Sequence, residues 1–263
     1  MTPINLAKIC FALATWLILP SMSHAADGNS LPDTIEKVKP AVVAIGTFQK
    51  TRRPPSIFRG TGFVVADGLH VVTNAHVLPE KLDVEKRELI AVFAGNTSQM
   101  EIREASKMAE DREHDLAVLK ITGRPLPTVS LGSPQRVREG EIYAFTGFPI
   151  GMVLGLNAVT HRGIVSAISP IAIPQLSAQL LEKNVVARLT APYNVFQLDA
   201  TAYPGNSGSP LYDPATGQVV GIINKVFVQE SKETVIQKPS GISYAIPVNH
   251  IKELLRKLGI EAN

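Results

Sequence analysis

Short apolar runs separated by turn residues fill most of the chain. Ala41–Phe48 (AVVAIGTF), Thr61–Val65, Leu69–Thr73, Leu89–Phe93, Leu116–Ile121, Glu141–Thr146, Asn157–Ile168, Val195–Leu198, Pro210–Tyr212, Gln218–Ile223 and Ile242–Ile246 have the length and β-branched content of strands. Ala66-Asp67-Gly68 and Pro214-Ala215-Thr216-Gly217 read as turns between strand neighbours. Helical periodicity is confined to two stretches. Leu31–Lys39 is ended by Pro40, and Pro247–Leu258 aligns Ile251, Leu254, Leu255 and Leu258 on one face, with Gly259 as its stop. Strands do not alternate regularly with helices, so the pattern predicts an antiparallel sandwich or barrel rather than a doubly wound α/β fold. Ser169–Asn194 and Phe227–Ser240 read as long surface loops able to carry function.

The first residues follow another logic. Lys8 precedes an apolar run, Ile9–Pro20, and then comes Ser23-His24-Ala25-Ala26. This is the pattern of a secretory signal peptide, residues 1–25, cut after Ala25, and the run is short for a permanent membrane span. The expected mature chain has no stable membrane anchor. The single cysteine, Cys10, lies in that leader, which leaves the mature part without disulfides, thiolate metal sites or a cysteine nucleophile. Hydrophobic residues make up 45% of the 263 and the net charge is +3 with scattered basic residues. A folded core is therefore expected, and nucleic acid is not an expected partner. Lys50, Arg52 and Arg53, beside Pro54 and Pro55, read as a solvated loop. Asn96-Thr97-Ser98 matches a glycosylation sequon by chance. The histidines are scattered and no glycine-rich phosphate loop is visible, so neither a metal nor another cofactor is expected.

The chemistry concentrates in three places. Pro204-Gly205-Asn206-Ser207-Gly208-Ser209-Pro210 puts a serine on a tight glycine turn. The backbone N–H groups of Ser207 and Gly205, with Asn206 between them, are placed to form an oxyanion hole. A serine nucleophile needs a base, and His76 follows an apolar strand in Val72-Thr73-Asn74-Ala75-His76-Val77-Leu78. A base needs an orienting carboxylate, and Asp115 opens the run Asp115-Leu116-Ala117-Val118-Leu119-Lys120-Ile121. Any one of these alone reads as a turn, a surface histidine or a strand-opening acid; together they stand in the order His, Asp, Ser. The reverse order of α/β-hydrolases, nominally completed by Asp213 and His250, lacks its strand–helix alternation and has Ser209 where the elbow needs glycine.

With these motifs the chain resembles trypsin-like serine peptidases, and within them the HtrA/Deg group of envelope proteases. Gly60-Thr61-Gly62-Phe63-Val64-Val65 with the His76 segment, the Asp115 segment, Asp199-Ala200 with the Ser207 segment, and Tyr244-Ala245-Ile246-Pro247 carry the resemblance over about residues 31–259. It implies an all-β fold of two six-stranded antiparallel barrels with a C-terminal helix, divided near Gly140 into 26–140 and 141–263. It implies a serine endopeptidase acting on proteins or peptides, in the periplasm or secreted, with Thr201, Ala202, Tyr203, Asn224, Lys225 and Val226 as walls of the specificity pocket. No carboxylate stands in those walls, so Arg or Lys is not expected at the cleaved position, and by the resemblance the branched Val226 narrows the pocket toward small aliphatic residues. The resemblance permits a homo-oligomer and a chaperone-like role. It departs in two respects: no PDZ domain fits after Pro247, and Ser209 replaces a glycine. The Gly-Asn-Ser-Gly-Ser-Pro form also resembles glutamyl endopeptidases, but the following strand lacks their histidine. The alternative is a catalytically silent protease-like scaffold.

Overall fold

A computed structural model describes residues 30–150, 155–171, 193–224 and 242–262. The leader, the greater part of both long loops, and Lys225 and Val226 lie outside the described residues. The chain forms two closed antiparallel barrels. The first contains β1 (Val42–Phe48), β2 (Ser56–Val65), β3 (His70–Thr73), β4 (Leu89–Asn96), β5 (Gln99–Asp111) and β6 (Leu116–Ile121). The second contains β7 (Ile142–Gly147), β8 (Val159–Pro170), β9 (Asn194–Asp199), β10 (Pro210–Tyr212), β11 (Val219–Asn224) and β12 (Ile242–Pro247). The first closes in the order β1-β2-β3-β6-β5-β4. The second closes as β7-β8-β9-β12-β11-β10, the same path repeated, although the sequence shows no repeat.

Burial on both faces explains why the runs are continuously apolar instead of alternating. On β1, Val43 and Ile45 join Val64, Val71 and Leu119 inside the first barrel. Their neighbours Val42 and Ala44 face a shared layer with Phe63, Tyr212, Ile222 and Ile246. Phe145, Val165, Leu198, Leu211 and Ile223 fill the second barrel.

The helices bind the two barrels together. α1 (Leu31–Val38) starts at Ser30, whose N–H and hydroxyl both donate to Asp33 Oδ2, so a carboxylate in the first turn fixes the residue that opens the helix. α1 lies next to the first barrel in sequence but buries Thr34 and Val38 against the Gly217 turn of the second. α2 (Val248–Lys257) buries Val248, Ile251, Leu254 and Leu255. It ends at Gly259 (φ +70°), with Ile260 N–H closing onto Leu255 O.

One strand has no counterpart among the expected ones, and one expectation is corrected. β5 gives no strand signal: QMEIREASKMAED is mostly polar, and its buried residues include Arg103 and Ala105. It is held by ladders to β4 on one side and β6 on the other, so backbone pairing overrides side-chain preference. The Arg103 guanidinium bonds the Arg124 carbonyl and Glu101, which is how an arginine is tolerated there. Arg52 is also no solvated side chain. It donates to Glu88 at 2.5 Å, to Thr47 Oγ1 at 2.9 Å and to Pro55 O at 3.1 Å. The Asp83 N–H bond to Glu88, with help from Thr47 and Arg52 against its burial, lowers the Glu88 carboxyl to about 2.

Candidate active site

The β3–β6 pairing brings His76 and Asp115 together. Thr73 lies opposite Ala117, so the turn after β3 (Ala75–Val77) and the residue before β6 meet at one barrel end. Asp115 sits at φ +53°, a left-handed conformation that Asp tolerates better than most residues and that is typical of strained functional positions. Its carbonyl is held by Ala75 N–H at 3.1 Å and Asn74 Nδ2 at 3.0 Å. Its carboxylate accepts from His76 N–H at 2.9 Å (Oδ1) and lies 2.5 Å from His76 Nδ1 (Oδ2). A carboxylate oxygen accepts, so the Nδ1 proton points at Asp115 and the Nε2 lone pair is left free to take a proton.

The Ser207 segment docks onto the first barrel. Thr61 N–H, on β2, donates to Ser207 O at 2.8 Å. Gly60 is the spacer: a Cβ there would stand 2.7 Å from Val77, the residue after His76, and 2.9 Å from Ser207 O. This seats the serine beside the histidine turn. Among the described residues no hydrogen bond is made by the Ser207 hydroxyl.

The backbone of residues 203–208 follows a simple rule. Every carbonyl from Tyr203 to Ser207 is engaged: Tyr203 O by Asn206 N–H, Pro204 O by Ile150 N–H, Gly205 O by Thr61 Oγ1, Asn206 O by Ser209 N–H and Ser207 O by Thr61 N–H. Gly208 N–H donates to Ile223 O. Among the described residues the Gly205 and Ser207 N–H groups have no acceptor. The C=O and N–H of one peptide point in opposite directions, so anchoring Pro204 O on Ile150 at 2.7 Å turns the Gly205 N–H the other way. Ile150 holds φ +48° to make that contact, a costly conformation for a β-branched residue. Gly205 (φ +100°) and Gly208 (φ +90°) supply conformations a side chain would resist. Asn206, expected among the oxyanion donors, has its N–H committed to Tyr203 O. Its buried side chain instead places Nδ2 3.5 Å from His161 Nε2, and burial lowers the His161 pKa.

Of the expected pocket residues, Thr201, Ala202 and Tyr203 lead directly into this loop and are half-buried. Ala202 N–H donates to Ser243 Oγ at 2.9 Å, and Ser243 Oγ donates to Ala200 O at 2.6 Å. Asn224 ends β11 opposite Tyr244. Thr61 stands within a motif in the sequence, but no task for it can be read there. The one signal is its position between two glycines, where the strand is approached too closely for neighbouring side chains. The histidines, scattered along the chain, are partly gathered by the fold: His114 and His250 stack at 3.8 Å, with Tyr193 4.6 Å from the first ring and 5.1 Å from the second. Among the described residues no group of His, Cys, Asp or Glu is arranged to hold a metal ion, and no helix is long and apolar enough to cross a membrane.

Comparison with known proteins gives the same picture. The chain is 33% identical over 253 residues to the mitochondrial serine protease HTRA2 of Bos taurus, a match covering 93% of this chain and 46% of that protein. It is 28% identical to a probable periplasmic serine endoprotease, DegP-like, of Halomonas elongata, covering 90% and 52%. The chain thus spans about half the length of these relatives. The solved HtrA-type protease AlgW with tripeptide superposes with a TM-score of 0.62 at 27% identity, covering 87% of this chain and 63% of that one. Residues 60–222, which contain His76, Asp115 and Ser207, match the trypsin-like peptidase domain, and the chain belongs to that family.

Proposed function

We propose that this chain is a serine endopeptidase that cleaves proteins or peptides through an acyl-enzyme. The observation that carries the reading is the pair of unengaged N–H groups at Gly205 and Ser207, in a loop whose carbonyls are all held. His76 Nε2 takes the Ser207 proton as Oγ attacks the peptide carbonyl. Asp115 holds the Nδ1 proton and supports the imidazolium, and the Gly205 and Ser207 N–H groups receive the oxyanion. His76 then passes the proton to the leaving amine, and water resolves the ester.

Thr201–Tyr203 and Asn224, continuing to Lys225 and Val226, are proposed to line the specificity pocket; without a carboxylate the stretch does not attract Arg or Lys, and the branched Val226 favours small aliphatic side chains. Substrate pairs as an extended strand beside Asn224, because backbone pairing needs no particular side chain. The leader pattern, together with the DegP-like relative's periplasmic description, supports cleavage after Ala25 and an envelope address. The HTRA2 relative is described as mitochondrial, so intact mass of the chain recovered from a bacterial periplasm is the deciding measurement. For the activity, casein hydrolysis and fluorophosphonate labelling are compared between wild type and Ser207→Ala. Loss of both in the variant is expected; equal activity in the two proteins rejects the reading.

A further inference from the structure

Thr61 is fully buried and reaches the nucleophile loop from two of its atoms. Its N–H donates to Ser207 O at 2.8 Å, and its hydroxyl donates to Gly205 O at 2.7 Å. The same hydroxyl accepts Phe148 N–H at 3.0 Å. Its carbonyl accepts the Thr73 hydroxyl at 2.7 Å, on β3, the strand that leads to His76. Phe148 in turn begins the segment whose Ile150 N–H fixes Pro204 O. The strand allows little else there: a Cβ at Gly60 would press on Val77 and Ser207 O, and one at Gly62 would stand 2.9 Å from Val71.

We infer that the Thr61 hydroxyl is the positioning group of the oxyanion hole, through which the barrel carrying His76 sets the direction of the Gly205 N–H in the other barrel. The inference rests on the serine-peptidase reading above. The hydroxyl fixes the plane of the Gly205–Asn206 peptide directly. By holding Phe148 it also fixes the segment that turns the Pro204–Gly205 peptide. Without it, a half-buried carbonyl and a buried N–H lose their partner together, a costly state that rotation of these peptides relieves. That rotation carries the Gly205 N–H away from the reacting carbonyl. Thr61 touches no substrate atom, so its removal acts on transition-state binding and not on substrate affinity.

The test compares Thr61→Val, which keeps the shape, with the pair Thr61→Ala and Thr61→Ser, which differ by the hydroxyl alone. A quenched fluorogenic peptide reads kcat and KM; a peptide aldehyde and the matching alcohol read oxyanion-dependent and oxyanion-independent affinity. Thr61→Val and Thr61→Ala are expected to lose about 10²-fold in kcat, the scale of a missing oxyanion donor. KM should stay within about twofold and aldehyde affinity should fall in step with kcat while alcohol affinity holds. Thr61→Ser should stay within about threefold of wild type. If Thr61→Val does not fold, the Ala/Ser pair decides. Near-wild-type kcat in Thr61→Ala, or a Thr61→Ser as weak as Thr61→Ala, overturns the assignment while a labelled wild-type Ser207 leaves the peptidase reading standing. A wild type that is neither active nor labelled rejects that reading, and this one with it.

Discussion

Gly208→Ala tests how the nucleophile loop is seated. Gly208 has φ +90°, and a Cβ there would lie 1.9 Å from Thr61 O and 2.8 Å from Thr73 Oγ1. The first atom is backbone in a paired strand and cannot turn aside. Separation to an ordinary contact demands that the loop retreat by about 1.5 Å, and a displacement of even about 1 Å at a reacting group costs on the order of 10²-fold in rate, about 2.7 kcal/mol. The positive φ adds about 1–2 kcal/mol of stability loss by itself. Gly140 separates the two effects, because it has φ +88° and a Cβ there would meet nothing within 4 Å. Gly140→Ala should lower Tm by a few degrees and leave kcat/KM unchanged, while Gly208→Ala should lower both. The assay is hydrolysis of a fluorogenic peptide at a temperature where near-UV circular dichroism shows both variants folded. A Gly208→Ala kcat/KM within about threefold of that of Gly140→Ala would refute the clamp between Thr61 and the serine loop.

Further outcomes follow from other contacts. Asp115→Asn replaces one acceptor oxygen with a donor facing the His76 N–H and Nδ1 positions; kcat should fall about 10³–10⁴-fold with little change in Tm, and a drop under about tenfold counts against the assigned orientation. Burial, reinforced by repulsion from His114 and opposed by Asp111 and Glu253, lowers His250 to about 4 from 6.5. The unfolded chain therefore binds a proton below pH 6.5 that the folded chain refuses until about pH 4, so stability falls as pH drops through that window. His250 is half-buried, so the slope should lie well under about 1.4 kcal/mol per pH unit. His250→Phe should flatten it, and urea midpoints across that window give the answer. Arg103→Ala removes the buried guanidinium that ties β5 to the Arg124 carbonyl; a loss of about 2–4 kcal/mol is expected from the urea midpoint, and a loss under about 0.5 kcal/mol contradicts the tie.

The sequence alone determined the strands with apolar runs, because burial on two faces demands continuous apolar side chains and leaves a signal any window can read. It determined the residue types and order of His76, Asp115 and Ser207, because the chemistry requires them. β5 was illegible, since its place depends on ladders to β4 and β6 and not on its own side chains. Neither the repeated strand path nor the crossing of α1 to the other barrel could be read, as both are set by packing between segments remote in the chain. The same holds at the site. Which N–H groups remain free, and that Asn206 gives its own to Tyr203, depend on where five carbonyls find partners. Two of those partners, the N–H groups of Asn206 and Ser209, lie in the loop itself, but the three that hold Pro204, Gly205 and Ser207 come from Ile150 and Thr61, so that part of the choice was made only when distant segments of the two barrels came together.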